Sequence, residues 1–418
     1  MRIRKEWTIA GSLELLAVAL ANWQALGGIR TDEAKYLLNI PYPHPPLARW
    51  IFSLTEAFPF QEMFWRLLLS TLVVQAVWIV WDMTRKFHLA EDRIMVCAGW
   101  LLSSAALTQA GAITMAQIMA VQTLAFLWLR TPLEADTGLA SAIRRRPALI
   151  GLLWTATLFT SYPGALLFPI AWDALRRSGC SWKEMAAYLA GPAVLLALYT
   201  MTNPLALAIM LVHRNEGLGT GIAAKSAGFI RLWLVGGSGV ASVAGTWGII
   251  AVKRDWPLLF SSLLVFAFVL FSITPWYYSI LFAPFFVGGL WKIFHHRRHP
   301  GAFPLSVCMI FACGLIVWFV QPSRTPGPAR ETMLAISGLA PESGEVLISG
   351  PFGHEWQYES RNVIRRYRSE FAKDAAAVVC LNPCEPMFDT SGWKRLPGTP
   401  VETWVRKRSI DRNTPDTI

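Results

Sequence analysis

The sequence predicts an all-α polytopic membrane protein with a small C-terminal α/β domain. Three observations lead there. Of 418 residues, 54% are apolar and only 16% are charged, whereas a soluble domain carries about 25% charged residues. Up to residue 321 the apolar residues gather in long runs. Beyond Pro322 the pattern changes to short apolar strands between polar stretches. Disordered and disulfide-framework classes are excluded, because apolar content is high and six cysteines are few for this length. The 20 Trp suit a membrane–water boundary, where an indole is half dry and half hydrogen-bonded.

A membrane span needs about 20 apolar residues. The first run, about 7–27, follows Arg2, Arg4 and Lys5. Others lie near 64–82, 94–110, 112–129, 148–172, 184–202, 229–252, 256–274, 276–294 and 303–321. Ala19-Leu20-Ala21 resembles a signal-peptide cleavage site. The apolar stretch runs on to Leu26, which favours a retained helix.

Charge placement orients these runs. The chain carries 38 Lys/Arg and 27 Asp/Glu, a formal +11. From residue 322 onward the balance is 13 against 12, and before it 25 against 15. The excess sits in short loops, so it reads as topology rather than as a nucleic-acid face. Arg85/Lys86/Arg93, Arg130 with Arg144–Arg146, Arg176/Arg177/Lys183, Lys253/Arg254 and Lys292/Arg297/Arg298, with the N-terminus, hold 18 basic residues; the other side holds seven. The positive-inside rule places the N-terminus in the cytoplasm and the loops 28–63 and 203–228 outside.

Residues 148–172 carry basic clusters on both flanks, which one crossing cannot satisfy. Ser161-Tyr162-Pro163-Gly164 is a turn signal. The run is therefore expected as two short helices, about 148–161 and 164–176, with a single kinked helix as the alternative. Counting both gives about 11 transmembrane helices and a C-terminus outside. The expected domains are 1–321 in the membrane, with the outer loop 28–63, and 322–418 as an extracytoplasmic α/β unit. Strands are expected at Val346–Ile348, Ala377–Leu381 and Val401–Val405, with a helical stretch over about 355–373. Cys380 and Cys384 are spaced for a local disulfide rather than for zinc. Cys97, Cys308 and Cys313 read as small core residues.

The first outer loop holds the chemistry. It reads Arg30-Thr31-Asp32-Glu33-Ala34-Lys35-Tyr36, then Pro41-Tyr42-Pro43-His44-Pro45-Pro46-Leu47-Ala48-Arg49. Adjacent residues on a helix point about 100° apart. Asp32 and Glu33 are therefore expected to divide their roles, one acting as a base and the other orienting it or binding a partner. Lys35 and Arg49 supply positive charge, and the prolines stiffen the loop. Taken alone, such a pair also suits a solvated loop.

Asp-Glu-x-x-Tyr after the first helix, followed by His-Pro-Pro-Leu, resembles the polyprenyl-phosphate-sugar-dependent glycosyltransferases of the GT-C superfamily. The likeness is to the branch of protein O-mannosyltransferases and lipid A aminoarabinose transferases. Gly151-Leu152 through Thr160-Ser161-Tyr162-Pro163-Gly164 resembles that branch's Gly-Leu…Thr-Lys-Tyr/Gly-Pro-Gly region. Pro275-Trp276-Tyr277-Tyr278 resembles its Tyr-Tyr pattern before the penultimate helix. The resemblance implies an integral-membrane, inverting glycosyltransferase of the extracytoplasmic face, in a bacterial plasma (inner) membrane. Its donor would be a polyprenyl-phosphate sugar. Its acceptor would be a hydroxyl of a lipid, glycan or protein, with membrane lipids as surroundings and no nucleic acid. It also implies Asp32 as the base with Glu33 beside it, and Lys35, Tyr36, His44, Arg49, Tyr162 and Tyr277 at donor or acceptor.

That chemistry is physically coherent. A carboxylate within hydrogen-bond reach can take the acceptor proton, and negative charge favours an oxocarbenium-like transition state. The leaving phosphate needs cations rather than a general acid. Lys35 and Arg49 are the nearest in sequence, with Arg66 and Arg231 as further candidates; as membrane-surface anchors they would need no such role. Two departures stand out. Residues 111–117 contain no acid where many relatives carry an Asp, and Ser161 replaces a Lys. No cofactor is expected; a divalent metal is conceivable but unsupported by the sequence.

The remaining polar residues read as structural. Glu14 is expected to snorkel or pair with another helix. His213 falls in an outer loop, and His295, His296 and His299 in a basic one. Gly236-Gly237-Ser238-Gly239 reads as close packing within one apolar helix. A transporter or flippase for a lipid-linked substrate is the alternative function, but ionisable residues within spans are few and no internal repeat is visible.

Overall fold

The computed structural model describes residues 2–40, 45–131, 143, 146–205, 208, 221–272, 276–296, 302–320, 327–339, 344–360, 362–382 and 391–407. The chain is mostly helical, with one five-stranded sheet near its end. Contacts divide it into two compact units. The first comprises 1–22, 41–55 and 63–322; the second comprises 23–40, 56–62 and 323–418.

In the first unit, helices form because the apolar runs can satisfy their backbone groups internally. Among the described residues, three helical stretches are long and apolar enough to cross a membrane: Gln61–Met83, Trp182–Thr202 and Trp276–His296. Several other expected runs are interrupted. The 94–110 run divides into Ala90–Leu101 and Ser104–Gln109, where the Ser103 hydroxyl caps the second piece by accepting the Ala106 N–H at 3.1 Å. The 229–252 run is bent by 96° between Ile222–Gly236 and Val240–Ala251. The glycine cluster therefore lies at a break, not within one helix. Ser238 and Gly239 take positive φ of 54° and 71° there. Because of such breaks, length and composition alone do not fix eleven crossings.

The 148–172 run also breaks where the turn signal lies. Helices Pro147–Thr160 and Phe168–Arg177 are separated by a 3₁₀ turn, Tyr162–Leu167. Ser161 is extended (φ −159°), and its carbonyl accepts the Gly164 N–H at 2.8 Å. A Cβ on Gly164 would sit 2.6 Å from the Thr157 carbonyl oxygen, so only glycine lets this turn pack so closely.

Glycines also set the closest helix approach. A Cβ on Gly248 would lie 2.1 Å from the Gly289 carbonyl oxygen, and one on Gly245 would lie 2.5 Å from Phe286 Cα. Helices Val240–Ala251 and Ala283–His296 thus meet backbone to backbone. Glu14 pairs with another helix, accepting from Thr71 Oγ1 at 2.6 Å and Gln75 Nε2 at 3.1 Å. Cys97 and Cys313 are buried as expected, but Cys308 is exposed beside exposed Ile310 and Phe311. That cysteine belongs to an apolar outer face rather than to the core.

In the second unit the sheet order is β2-β1-β3-β5-β4, with β1 Val346–Ser349, β2 Ile364–Arg366, β3 Ala377–Cys380, β4 Trp393–Arg395 and β5 Glu402–Arg406. β1 pairs in parallel with β2 and β3, while β5 runs antiparallel to β3 and β4. Both faces are covered. Val346, Ile348 and Val379 pack with Met333, Ile336 and Trp356, whereas Leu347, Val378 and Trp393 pack together on the other side. The strand period of two explains the division. The expected helix over 355–373 is shorter, His354–Glu359, because the chain then enters edge strand β2. Cys380 is disulfide-bonded, and Cys384 lies outside the described residues.

Candidate functional site

The first-loop residues 23–40 belong to the second unit. There the chain leaves the long first helix, turns through Gly28 at φ +68°, and starts a short helix over Thr31–Leu37. Arg30 before it is extended (φ −98°, ψ 159°). Two acids in the first turn suit the positive end of the helix dipole.

The adjacent carboxylates do different things. Glu33 is 3% exposed and folds back to accept the Arg30 N–H at 3.0 Å. It satisfies a backbone donor that the helix start would leave unpaired. Asp32 has a side chain 43% exposed and accepts from Lys35 Nζ at 3.0 Å, one turn along the same helix. Tyr36 is buried. The two side chains thus differ in burial and in partner, and Asp32 is the more accessible carboxylate.

The C-terminal residues fix this segment. Thr31 Oγ1 donates to Glu355 Oε2. The Ile29 N–H reaches Glu359 Oε1 at 3.5 Å. Arg330 joins three pieces of chain: its Nε donates to Glu359 Oε1 at 3.0 Å, Nη1 to the Ala25 carbonyl at 3.2 Å, and Nη2 to the Glu62 carboxylate. Gln61 Nε2 adds a bond to the Leu37 carbonyl at 3.3 Å. Burial raises the Glu359 carboxyl above its ordinary value; Arg330 opposes the rise, and Glu62, which shares the guanidinium, adds to it. Arg330, Glu355 and Glu359 were missed by sequence reasoning, since their partners lie about 270 to 330 residues away.

The other expected site residues lie in the first unit, except His44, which lies outside the described residues. Arg49 is on helix Pro46–Ser53, which packs on Pro147–Thr160. Its Nε is buried and has no hydrogen-bond partner among the described residues. Tyr162 accepts at its hydroxyl from Thr200 Oγ1 at 3.4 Å. Tyr277 lies in the 3₁₀ turn Trp276–Leu281, edge-on to Tyr278 at 5.2 Å. Arg66 is 1% exposed and donates to the Gly111 carbonyl at 3.1 Å; Arg231 is exposed.

Where the acid is missing, the structure has amides. Gln117 Nε2 donates to the carbonyls of Gln109 and Ala112, the latter at 2.5 Å. Gln109 Nε2 donates to Ser279 Oγ and, at 3.3 Å, to the Trp276 carbonyl. The signal for this network was present, as glutamines within an apolar run. Among the described residues no three His, Cys, Asp or Glu gather. Lys35 occupies Asp32, the Arg30 N–H binds Glu33, and Arg330 holds Glu62 and Glu359.

No protein-family model and no curated protein matches the chain. Solved structures do. ArnT from Cupriavidus metallidurans in the apo state superposes with a TM-score of 0.65 at 12% identity, over 97% of this chain and 98% of that one. The same protein bound to undecaprenyl phosphate gives 0.62 at 11% identity, over 96% and 97%. The Archaeoglobus fulgidus oligosaccharyltransferase AglB, in complex with an inhibitory peptide and a dolichol-phosphate, gives 0.50 at 12% identity, over 91% and 70%. A further structure of an oligosaccharyltransferase from that organism contains zinc and sulfate. The likeness read from the first loop is thereby borne out in three dimensions: this chain has the fold of the GT-C glycosyltransferases, from the first helix through the C-terminal sheet.

Proposed function

We propose that the protein is an integral-membrane, inverting glycosyltransferase that uses a polyprenyl-phosphate sugar on the extracytoplasmic face. The observation that carries this reading is Asp32, a half-exposed carboxylate at the start of a fixed helix, in a chain with this fold. ArnT binding undecaprenyl phosphate and AglB binding a dolichol-phosphate support a prenyl-phosphate donor.

In this mechanism Asp32 accepts the proton of the acceptor hydroxyl as its oxygen bonds to the anomeric carbon. The bond from that carbon to the phosphate oxygen breaks, and the prenyl phosphate leaves with the electron pair. Inversion follows from a single displacement. Lys35 orients the Asp32 carboxylate and lends positive charge. Glu33 is a positioning residue that holds the helix start. Among the first-unit candidates Arg49 has the best claim on a phosphate, because its Nε is a buried donor without a hydrogen-bond partner among the described residues. The sugar and acceptor are to be identified by mass spectrometry of lipid-linked sugars and surface glycans after deletion.

Replacing Asp32 with Asn tests the base directly. Transfer by purified protein should fall by about 10² to 10⁴, the usual contribution of a positioned general base, while melting temperature and membrane insertion stay unchanged. Full activity in that variant would remove Asp32 from the mechanism.

A further inference from the structure

Four basic stretches far apart in the chain converge on one cavity of about 540 Å³ in the first unit. Its wall is made from the ends of helices. Arg130 follows Met115–Leu129, Asp173 to Arg177 end Phe168–Arg177, and Lys253 to Asp255 precede Trp256–Phe271. Lys292 and His296 lie near the end of Ala283–His296.

The wall is charged unevenly. Arg130, with a side chain 6% exposed, donates from Nε to Asp173 at 2.8 Å and from Nη2 to Asp255 at 2.7 Å. Asp173 also accepts from Arg176 at 2.9 Å and Arg177 at 2.8 Å. Both acids of the wall are therefore already engaged. Against those two stand six Lys/Arg, a formal excess of four positive charges. Lys292 is 2% exposed, and its Nζ donates to the Ile249 carbonyl at 3.0 Å. A carbonyl satisfies one of three ammonium donors and carries no counter-charge, and Asp255, the acid that acts on this lysine, is already bonded to Arg130. Lys253 and Arg254 are exposed, and the Arg254 guanidinium lies 5.4 Å from the Trp256 ring centre.

We propose that this cavity binds the phosphate headgroup of an anionic membrane lipid. An anion carrying several acceptor oxygens fits a wall whose donors outnumber its acids. Trp172, Trp256 and Trp291 also line the cavity. Tryptophan belongs at the headgroup level of a bilayer, which favours a lipid over a soluble phosphate. Cations that merely offset helix dipoles at C-terminal ends would need no cavity and no buried lysine. None of these residues takes part in the proposed sugar transfer.

The test uses the full-length protein in detergent, with native mass spectrometry after addition of phosphatidylglycerol or phosphatidylcholine. Phosphatidylglycerol should be retained in preference. Lys253→Gln with Arg254→Gln, both exposed and safe for folding, should weaken retention by about fivefold per charge removed. Lys292→Gln should weaken it further if that variant folds; the double variant decides the matter in either case. Equal retention of the two lipids, or undiminished retention by the double variant, would overturn the proposal. Displacement of the lipid by millimolar inorganic phosphate would assign the cavity to soluble phosphate instead.

Discussion

Replacing Arg330 with Met should loosen the first-loop segment without touching Asp32. Arg330 donates to Glu359, Glu62 and the Ala25 carbonyl, so one side chain ties residues 25, 62 and 359 to helix Pro328–Ser337. The exposures are modest: 23% for Arg330, 17% for Glu62 and 12% for Glu359. Methionine keeps much of the apolar stem but leaves two partly buried carboxylates facing each other without a cation. Breaking a buried pair by removing one partner costs about 3–5 kcal/mol. The residual exposure places the expected loss at about 2–4 kcal/mol, a large part of a typical stability of 5–15 kcal/mol. The assay is thermal unfolding of the purified full-length protein, with limited proteolysis around residues 23–40. Adding Glu359→Gln to Arg330→Met should restore part of the loss, because it removes one of the orphaned charges. Strict additivity in that double-mutant cycle, or an unchanged melting temperature in Arg330→Met, would refute the argument.

Two further outcomes follow from the packing and the titration. Gly248→Ala should destabilise by at least the 1–3 kcal/mol usual for overpacking, since its Cβ would meet the Gly289 backbone. Gly191→Ala, with nothing within 4 Å of the new Cβ, should be neutral or slightly stabilising in the same melting experiment. Burial raises the Glu359 carboxyl, so the folded state keeps a proton that the unfolded chain releases. Stability should then fall as pH rises from the ordinary glutamate value through the raised one. Glu359→Gln should flatten that part of a pH series of melts.

Much of the fold was legible because membrane helices and buried strands write their burial into hydropathy. Val346–Ser349, Ala377–Cys380 and Glu402–Arg406 form as strands close to where apolar triplets predicted them. The missed strands are the edges: Ile364–Arg366 and Trp393–Arg395 each carry two exposed basic residues and only one more buried one, so they leave no alternating pattern. The helix breaks at Ser103 and at Ser238–Gly239 were also hidden. Hydropathy averages over a window, whereas a break is decided by one cap or one positive φ. At the candidate site the local chemistry was legible and the long-range support was not. Spacing predicted that Asp32 and Glu33 would point apart. Nothing near Arg330 or Glu359 in the sequence marks them as partners of residues 25 to 62. The basic clusters illustrate the same limit: each one reads as a topology marker, and only the fold brings four of them to one cavity.

The departures from the transferase resemblance share one physical consequence. Where the resemblance leads one to expect an acid and a lysine, this chain has Thr114, Gln117 and Ser161, all buried and all neutral. Neutral amides cost far less to bury than charges, provided that they are hydrogen-bonded. Gln109 and Gln117 meet that condition at their nitrogens, while the Oε1 atoms of Gln109, Gln117 and Gln122 have no hydrogen-bond partner among the described residues. A buried oxygen of this kind accepts from a hydroxyl and repels an anionic oxygen. On the proposed function, the donor phosphate would then have to be met by guanidinium or ammonium groups. Within the first unit the buried Nε of Arg49, which has no hydrogen-bond partner among the described residues, is a donor of that kind.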